Sequence, residues 1–586
     1  MKQLIALLFV ILLANCSFSQ DNLLRLVNPA YENGNNSQTN VTIHYGTPII
    51  GDYPIPTIPG ADNFFDYVTN GKNMTNIVVL GDTIIVSYFG ADSTDPTGTT
   101  SRVAYYIFSV DGGTTWGTPL AASTLPQRSA YPDVYAVFGA FGRTVAMTGR
   151  LYAPAGSRGG GFFDPFFGLG NFDRANVPND GKDYFGTDLG GGYIGGVFSS
   201  AGDSVYFTKF HFEDTTYSGT TLVGPSVLNV RYQVNADASG NNLFATWWTS
   251  TAGSETMEYN TSTDGGTTWG TVGALQTSFG LNGVINGDTC GPWFGMDITY
   301  KPGTSDPYAA WSTLYPIGTG LSSGDPQGCK ILMYSPNLNG GVPVEVAGRT
   351  NMTIISDPNQ FLNRAALSVG VTPVSHPSIA FSEDGSAIAC FFSAFQPGDS
   401  LDGFAFNDIY VTYSYNGGAN WTTPENLTNT ADWDELYPSV SEVGNLHSGN
   451  TYDWNVHYQA TMGPGCQSFT DNAPVYRVFE VYQKISVTGI KQISGNVPDA
   501  FSLYQNYPNP FNPSTSIKFD VLNSSNITLK VYDVMGREIA TLIDNEAVSP
   551  GTKEVDFDAS ALSSGIYFYT LTAGDFKATK KMMLLK

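Results

Sequence analysis

Eight acidic side chains are the residues of this chain most able to act as general acids, general bases or nucleophiles. Two carboxylates held at a suitable separation are the usual catalytic residues for hydrolysing a glycosidic bond. No spacing in the sequence selects one pair, and Asp in strand-rich chains more often holds a turn. The candidates therefore stay open as a set: Asp183, Asp188, Glu255, Glu258, Asp297, Asp432, Asp434 and Glu435.

Cysteine is the second reactive residue type, with five copies. Cys290, Cys329, Cys390 and Cys466 make an even number after the first twenty residues, which favours disulfides in an oxidising compartment. Of the three pairings, we favour Cys290 with Cys329 because they are nearest in sequence, which leaves Cys390 for Cys466. No two cysteines have zinc-ligand spacing and the histidines are scattered, so we expect neither a metal nor a cofactor.

A short pattern recurs three times, each time after a strand-like segment. Its Asp or Asn can accept backbone N–H groups, its Gly supplies a positive φ, and its Trp is suited to cover the turn as an apolar plug. The pattern therefore predicts a structural hairpin turn rather than a ligand site. Its residues are Ser109, Asp111, Gly113 and Trp116, then Ser262, Asp264, Gly266 and Trp269, then Ser414, Asn416, Gly418 and Trp421.

These three segments resemble the Asp-box, or BNR repeat, of sialidase-like β-propellers. Their nearly equal separations predict three four-stranded blades in each interval. The dipeptides Tyr131-Pro132, His376-Pro377 and Tyr437-Pro438 are interpreted as starts of inner blade strands.

The fold class expected is therefore all-β, with a multi-bladed β-propeller over residues 41–487. We expect six to eight blades and favour seven, although the sialidases that the chain resembles have six. A strand near Val41 is expected to close the ring, which would leave no open edge.

The resemblance to sialidases also implies a chemistry that the sequence supports only in part. Such enzymes clamp the substrate carboxylate with three arginines and use a Tyr nucleophile with a Glu and an Asp. The Phe/Tyr-Arg-Ile-Pro motif that carries the first arginine is missing, because Arg25 precedes Leu-Val. No flanking motif assigns the remaining candidates, which are Arg102, Arg231, Arg349 and Arg364.

The segment 159–170 is rich in Gly and Phe, and we interpret it as an insertion near the propeller mouth. Its Phe side chains would either stack on sugar rings or cover a hydrophobic edge, and we favour the second.

The C-terminal residues carry four blocks in order, including Tyr507–Thr515, Val531–Glu538 and a Lys-rich final strand. They resemble the type A C-terminal sorting domain of the bacterial type IX secretion system. Alternating β-branched and aromatic residues predict a small Ig-like β-sandwich over 497–586, after a linker at 488–496. The resemblance implies export through the type IX machinery, with removal of this domain and anchoring or release.

The first twenty residues have the charged start and short apolar core of a signal peptide, expected to be cleaved near Ser19-Gln20. Cys16 raises a lipoprotein alternative, which Asn15 before it disfavours. No later apolar run is long enough for a transmembrane segment. We therefore expect export by Sec and then by the type IX system, to the outer cell surface or the extracellular space of a bacterium.

Composition limits the partners. The chain has 586 residues with 65 Gly and 33 Pro, and its formal charge of −24 disfavours nucleic acid. The leading hypothesis is a non-catalytic binding protein for glycans or other surface polymers, and the alternative is a secreted sialidase-like glycoside hydrolase. A structural adhesion component is a third option, for which repeated fibrous modules would be expected.

Overall fold

The structure, a computed structural model, describes most of the chain from Tyr53 onwards. The described residues are 53–64, 74–95, 100–139, 142–153, 156–200, 204–225, 231–251, 254–278, 280–317, 320–322, 325, 327–355, 372–401, 404–448, 451–463, 476–488, 491–494, 498–523, 525–548, 550–560 and 562–586. The predicted signal peptide 1–20, the strand expected near Val41, Arg364 and Cys466 lie outside them.

Seven groups of antiparallel strands follow one another in the described part of the chain before residue 489, and we number them sheets 1 to 7. Sheet 1 contains β1 (Ile77–Leu80), β2 (Thr83–Gly90), β3 (Val103–Ser109) and β4 (Leu120–Ala121), and sheet 2 contains β5 (Arg128–Gly139), β6 (Gly142–Ala153), β7 (Gly156–Asp164) and β8 (Asp173–Asn176). Sheet 3 contains β9 (Lys182–Gly190), β10 (Tyr193–Ser199), β11 (Val205–His211), β12 (Thr216–Tyr217) and β13 (Thr221–Gly224), and sheet 4 contains β14 (Arg231–Ala236), β15 (Leu243–Thr251), β16 (Ser254–Ser262) and β17 (Gly273–Thr277).

A small hairpin of β18 (Val284–Ile285) and β19 (Asp288–Thr289) precedes the last three groups. Sheet 5 contains β20 (Gly291–Tyr300), β21 (Pro307–Ile317), β22 (Gly320–Ser322), β23 (Lys330–Tyr334) and β24 (Val344–Ala347), and sheet 6 contains β25 (Val374–Ser382), β26 (Ile388–Leu401), β27 (Phe404–Ser414) and β28 (Glu425–Asn426). Sheet 7 contains β29 (Asp434–Val440), β30 (Val443–Ser448), β31 (Thr451–Thr461) and β32 (Val478–Thr488). Two 3₁₀ turns, Pro178–Asp180 and Asn339–Gly341, are the helical elements of the described residues.

The inner strands of the seven sheets surround one central cavity of about 320 Å³. Each contributes to its wall, for example through Val78, Ala136, Thr187, Asn235, Ile298, Ile379 and Val440. Every sheet therefore packs between two neighbours, and a strand such as β25 is buried along its whole length instead of alternating. Sheets arranged radially around a central channel form a β-propeller.

The ring is closed by an N-terminal segment that runs along the last strand. Thr57 pairs with Val481 and Asn63 with Val478, and the Ile58 N–H donates to the Glu480 carbonyl at 2.8 Å. Among the described residues, 57–63 thus provide the closing edge that the sequence assigned to a segment near Val41.

The antiparallel order gives the propeller two distinct ends. Loops before inner strands and before third strands lie at one end, which we call the entry face and which includes Arg102, Arg128 and Arg231. Turns after third strands lie at the opposite end, the turn face, which includes Asp111 and Asp264.

The C-terminal part is a separate sandwich with its own core. One sheet has the order β33 (Lys491–Ser494), β38 (Gly551–Asp558), β35 (Ser514–Val521), β34 (Ser502–Leu503), and the other has β37 (Glu538–Val548), β36 (Ser525–Tyr532), β39 (Gly565–Ala573), β40 (Phe576–Leu584). Alternate residues of these strands point into the core, as in β39. The predicted linker 488–496 contains β33, which pairs with β38, so we place the start of the sandwich before residue 497.

No helix in the described residues is long and apolar enough to cross a membrane.

Candidate binding site

The first recurrent turn is built from hydrogen bonds to two side chains. Ser109 Oγ donates to Asp111 Oδ1 at 2.8 Å and accepts the Gly113 N–H at 2.9 Å. The Asp111 carboxylate also accepts the backbone N–H of Thr115 at 2.8 Å and its hydroxyl at 2.6 Å. These hydrogen bonds from Thr115 lower the pKa of Asp111, so the carboxylate is committed to the turn.

The second and third turns repeat this construction. Ser262 Oγ lies 2.8 Å from Asp264 Oδ1, and the hydrogen bonds from Thr268 lower the pKa of Asp264 to about 2. In the third turn Asn416 takes the place of Asp and accepts the Ser414 hydroxyl at 3.0 Å and the Asn420 N–H at 3.0 Å. Asn keeps the acceptor oxygen that the turn requires.

The Trp residues differ among the copies. Trp116 and Trp421 donate their indole N–H to the carbonyls of Gly113 and Gly418 at 3.1 Å. The Trp269 N–H has no hydrogen-bond partner among the described residues, and its ring instead packs edge-on against Phe207 at 5.5 Å.

Replacing Gly266 by Ala tests how these turns bind neighbouring sheets. Gly266 has φ +82°, and a Cβ there would lie 2.1 Å from the Phe207 ring of sheet 3. We expect a loss of about 2–4 kcal/mol, combining left-handed strain with overpacking. Gly287→Ala has the same φ of +82° and open space around it, so it should lose only about 1 kcal/mol. Equal losses in urea unfolding of the two variants would contradict the packing role.

The three turns leave β3, β16 and β27, which are third strands of sheets 1, 4 and 6. The first interval therefore spans three sheets, as expected, but the second spans two. Among the described residues, the second interval therefore contains one sheet fewer than predicted, and the β18–β19 hairpin adds residues there without adding a sheet.

On the entry face, three arginines surround one tyrosine ring. The guanidinium carbons of Arg102, Arg128 and Arg150 lie 4.6, 4.4 and 5.9 Å from the centre of the Tyr152 ring. Arg102 also donates to the Tyr152 hydroxyl. We call these four residues the arginine cluster.

The three charges have different surroundings. Arg150 is 3 % exposed, and burial by itself would lower the pKa of its guanidinium group. The ion pair with Asp183 outweighs this effect and raises that pKa well above its usual value. Arg102 and Arg128 are half-buried. Burial and the neighbouring charge of Arg102 lower the pKa of Arg128. The cluster thus concentrates positive charge at one place on a strongly acidic chain.

Strained backbone lies beside the cluster and at equivalent positions around the entry face. Tyr131, His376 and Tyr437 precede prolines in β5, β25 and β29 and have φ of +54°, +54° and +59°. These strands are innermost in their sheets, as predicted from the dipeptides. The Tyr131 ring lies 4.8 Å from Arg150, and residues held at positive φ are typical of sites where a side chain must be aimed.

The eight predicted carboxylates are dispersed. Asp188 and Asp297 line the central cavity with Glu442, which the sequence did not single out, and burial raises the pKa of Asp188 and Glu442. Asp297 ties inner strands together by accepting Gln233 Nε2 at 3.0 Å and the Ile379 N–H at 2.8 Å. Five of the others each accept a hydrogen bond from a neighbouring residue: Asp183 from Arg150, Glu255 from Ser278, Glu258 from Trp247, Asp434 from Asn407 and Glu435 from Tyr53. Asp432 is exposed.

The arginines suggested by the sialidase resemblance are not brought together as a clamp among the described residues. Arg102 belongs to the arginine cluster, Arg231 begins β14, and Arg349 pairs with Asp288 on another part of the propeller. Arg128 and Arg150 of the cluster were not predicted.

The predicted disulfide between Cys290 and Cys329 is wrong. No disulfide joins the three described cysteines, which are buried, and burial raises the pKa of Cys290 to about 11. Cys290 precedes β20 and Cys329 precedes β23, and both strands pair with β21 from opposite sides near Leu314. Two strand spacings, about 9–10 Å, exceed the reach of a disulfide.

The first part of the Gly- and Phe-rich segment, 159–164, is not an insertion, whereas 165–170 lies in the connection between β7 and β8. Gly156–Asp164 is the third strand of sheet 2, with Phe162 and Phe163 buried in the core. Its glycines allow close packing, because a Cβ at Gly161 would lie 2.6 Å from Phe210.

Residues 505–585 match the family model of the secretion system C-terminal sorting domain. This match covers most of the sandwich and identifies a protein destined for export. Among curated proteins, no sequence matches the chain.

Solved structures similar to the chain include propellers with different roles. A polysaccharide lyase of family PL25, an ulvan lyase bound to -[GlcA(1-4)Rha3S]-, aligns with TM-score 0.44 and 10% identity over 69% of this chain and 93% of its own. The β-propeller domain of the Trilobed protease from Pyrococcus furiosus aligns with TM-score 0.32 and 8% identity over 69% and 100%. A six-bladed fucose-recognising lectin from Aleuria aurantia aligns with TM-score 0.29 and 12% identity over 57% and 92%. At these scores the likenesses say nothing about ligand or activity.

In the described part of the chain, no group of three or more His, Cys, Asp or Glu side chains could hold a metal ion.

Proposed function

We propose that this exported propeller is a binding protein for an acidic glycan, held at the arginine cluster of the entry face. The observation that supports the proposal is the placement of three guanidinium groups within 6 Å of the Tyr152 ring. Guanidinium groups bind carboxylate and sulfate through paired hydrogen bonds, and aromatic rings pack against sugar faces.

An anion would relieve a local conflict of charge. Arg102 and Arg128 repel each other at half-buried positions, the charge of Asp95 partly offsets this repulsion at Arg128, and an anionic ligand beside the two guanidinium groups would offset it further. The chain as a whole carries a formal charge of −24, which repels long polyanions at a distance. Recognition is therefore short-range and limited to groups that reach the cluster.

We also propose a two-step export route for this protein. The sorting domain presents the protein to the type IX secretion machinery, after Sec transport directed by residues 1–20. The mature protein resides at the cell surface or outside the cell. We further propose that the seven sheets are seven blades and that the three recurrent turns are Asp-boxes that hold the blades together.

Binding of three polymers to the purified protein tests the function: chondroitin sulfate, polygalacturonate and neutral dextran. We expect an acidic polymer to bind, dextran not to bind, and Arg102→Gln or Arg128→Gln to weaken binding about tenfold or more, as for loss of a charge-assisted hydrogen bond. Arg143→Gln is the matched control, because Arg143 also stacks on an aromatic ring, Phe138 at 4.9 Å, but lies at the turn face.

Two outcomes would overturn the binding proposal. Equal weakening by Arg143→Gln would mean that net charge rather than the cluster governs binding. Shortening of the polymer, followed by mass spectrometry, would replace a binding protein by a polysaccharide-cleaving enzyme.

A further inference from the structure

A second cavity, of about 500 Å³, lies where the N-terminal segment meets sheet 1. Asp62 and Asn63 form one wall, and Tyr88, Asp92 and Tyr105 form the other. Its size is in the range of sites that enclose a small ligand. The cavity does not include any residue of the arginine cluster.

Two tyrosines give this cavity an aromatic wall. Tyr88 on β2 and Tyr105 on β3 are directly paired across the strands, and their rings stack at 5.4 Å with an interplanar angle of 19°. Tyr88 is only 3 % exposed, and neither tyrosine hydroxyl has a hydrogen-bond partner among the described residues. Both tyrosines line the cavity, so a ligand hydroxyl there can donate to or accept from either of their hydroxyl groups.

The charges around the cavity select the ligand. Asp92 is exposed at the rim, Asp62 pairs with Arg477 at 2.7 Å, and Glu480 accepts a hydrogen bond from Asn63 at 3.1 Å. These carboxylates repel an anion and accept hydrogen bonds from hydroxyl groups. The chemistry is therefore opposite to that of the arginine cluster.

We propose that this cavity binds a neutral sugar unit of one or two rings. The sugar lies against the tyrosine pair and forms a hydrogen bond with the Tyr88 hydroxyl. Its own hydroxyl groups donate hydrogen bonds to the Asp92 carboxylate. Because the two walls belong to the closing segment and to sheet 1, a bound sugar also links the two ends of the ring.

Saturation-transfer NMR tests this site with the full protein. The probes are glucose, galactose, mannose and rhamnose, each alone, with glucuronate as the acidic counterpart. We expect at least one neutral sugar to bind and glucuronate to bind more weakly at this site. Tyr88→Phe, which keeps the ring and removes only the hydroxyl, should weaken binding about fivefold or more. Thr94→Trp, at the exposed rim, should block the cavity without disturbing the core.

Matched controls separate this site from the arginine cluster. Tyr193→Phe removes a hydroxyl from an exposed tyrosine on the β9–β10 hairpin and should leave sugar binding unchanged. Arg102→Gln should also leave it unchanged, so failure of the acidic-glycan proposal would not affect this one. Absence of binding by all four neutral sugars, or binding that survives both Tyr88→Phe and Thr94→Trp, would overturn the proposal.

Discussion

Replacing Lys330 by Met is expected to lower the free energy of unfolding by about 3–5 kcal/mol, the usual result of removing one partner from a buried ion pair. Lys330 Nζ lies 2.9 Å from Asp288 Oδ2 and 2.5 Å from Glu345 Oε2, and the three side chains are at most 2 % exposed. Met keeps most of the apolar stem, so the loss reports the charge. The variant leaves Glu345 buried without its cation.

Arg349 remains as a partner of Asp288 in the variant, so most of the lost stability comes from the other carboxylate, Glu345. Arg349 also contacts Asp288, and its hydrogen bonds are the main cause of the pKa of Asp288 falling to about 2. Asp288 therefore stays paired in the variant, and most of the cost falls on Glu345. Glu345→Gln combined with Lys330→Met should recover part of the stability, because the uncompensated charge is gone.

Lys484→Met is the matched control for this experiment. Lys484 makes an equally short ion pair, 2.8 Å to Asp453, but its side chain is 49 % exposed. Solvent weakens such pairs, so its loss should be about 0–1 kcal/mol in urea unfolding followed by tryptophan fluorescence. A comparable loss in both variants would show that burial does not govern the Lys330 pair.

The turns were predictable from the sequence because their chemistry is local. Ser262, Asp264 and Gly266 lie within five residues, and each group bonds to a neighbour in the same turn. The dipeptides that mark the starts of inner strands were predictable for the same reason, because each is a local feature of two adjacent residues. The sandwich was readable because its strands alternate, as in β36, with one side in its core and the other outside.

The arginine cluster could not be read from the sequence because its members come from different strands. Arg102 precedes β3, Arg128 opens β5 and Arg150 lies near the end of β6, so only the antiparallel order brings them to one end. The disulfide prediction failed for a related reason, since nearness in sequence ignored the strand that lies between Cys290 and Cys329.

A buried carboxyl pair joins sheets 6 and 7 to the N-terminal segment, and it makes stability depend on pH. Glu435 accepts a hydrogen bond from Tyr53 at 2.9 Å, and the charge of Asp408 acts on its carboxyl group. Burial, followed by the charge of Asp408, raises the pKa of Glu435 well above its usual value. Burial also raises the pKa of Asp408.

The raised pKa values determine whether the free energy of unfolding rises or falls with pH. The folded protein holds a proton on this pair that the unfolded chain, with a carboxyl pKa of about 4, releases. The stabilisation is therefore complete below that unfolded pKa and is lost as pH rises through the folded pKa of Glu435. Above it, two carboxylates would be charged in one buried site beneath Tyr53.

Glu435→Gln is therefore expected to be more stable than the unaltered protein at alkaline pH, with the difference shrinking or reversing near pH 4, about the unfolded carboxyl pKa. The amide keeps a carbonyl to accept the hydrogen bond from Tyr53, but it cannot ionise. Thermal unfolding across this pH range measures the difference, and Glu383→Gln, at an exposed turn, is the control. A difference between Glu435→Gln and the unaltered protein that is constant with pH would show that the pair does not titrate, because only a proton held differently in the folded and unfolded states can give it a slope.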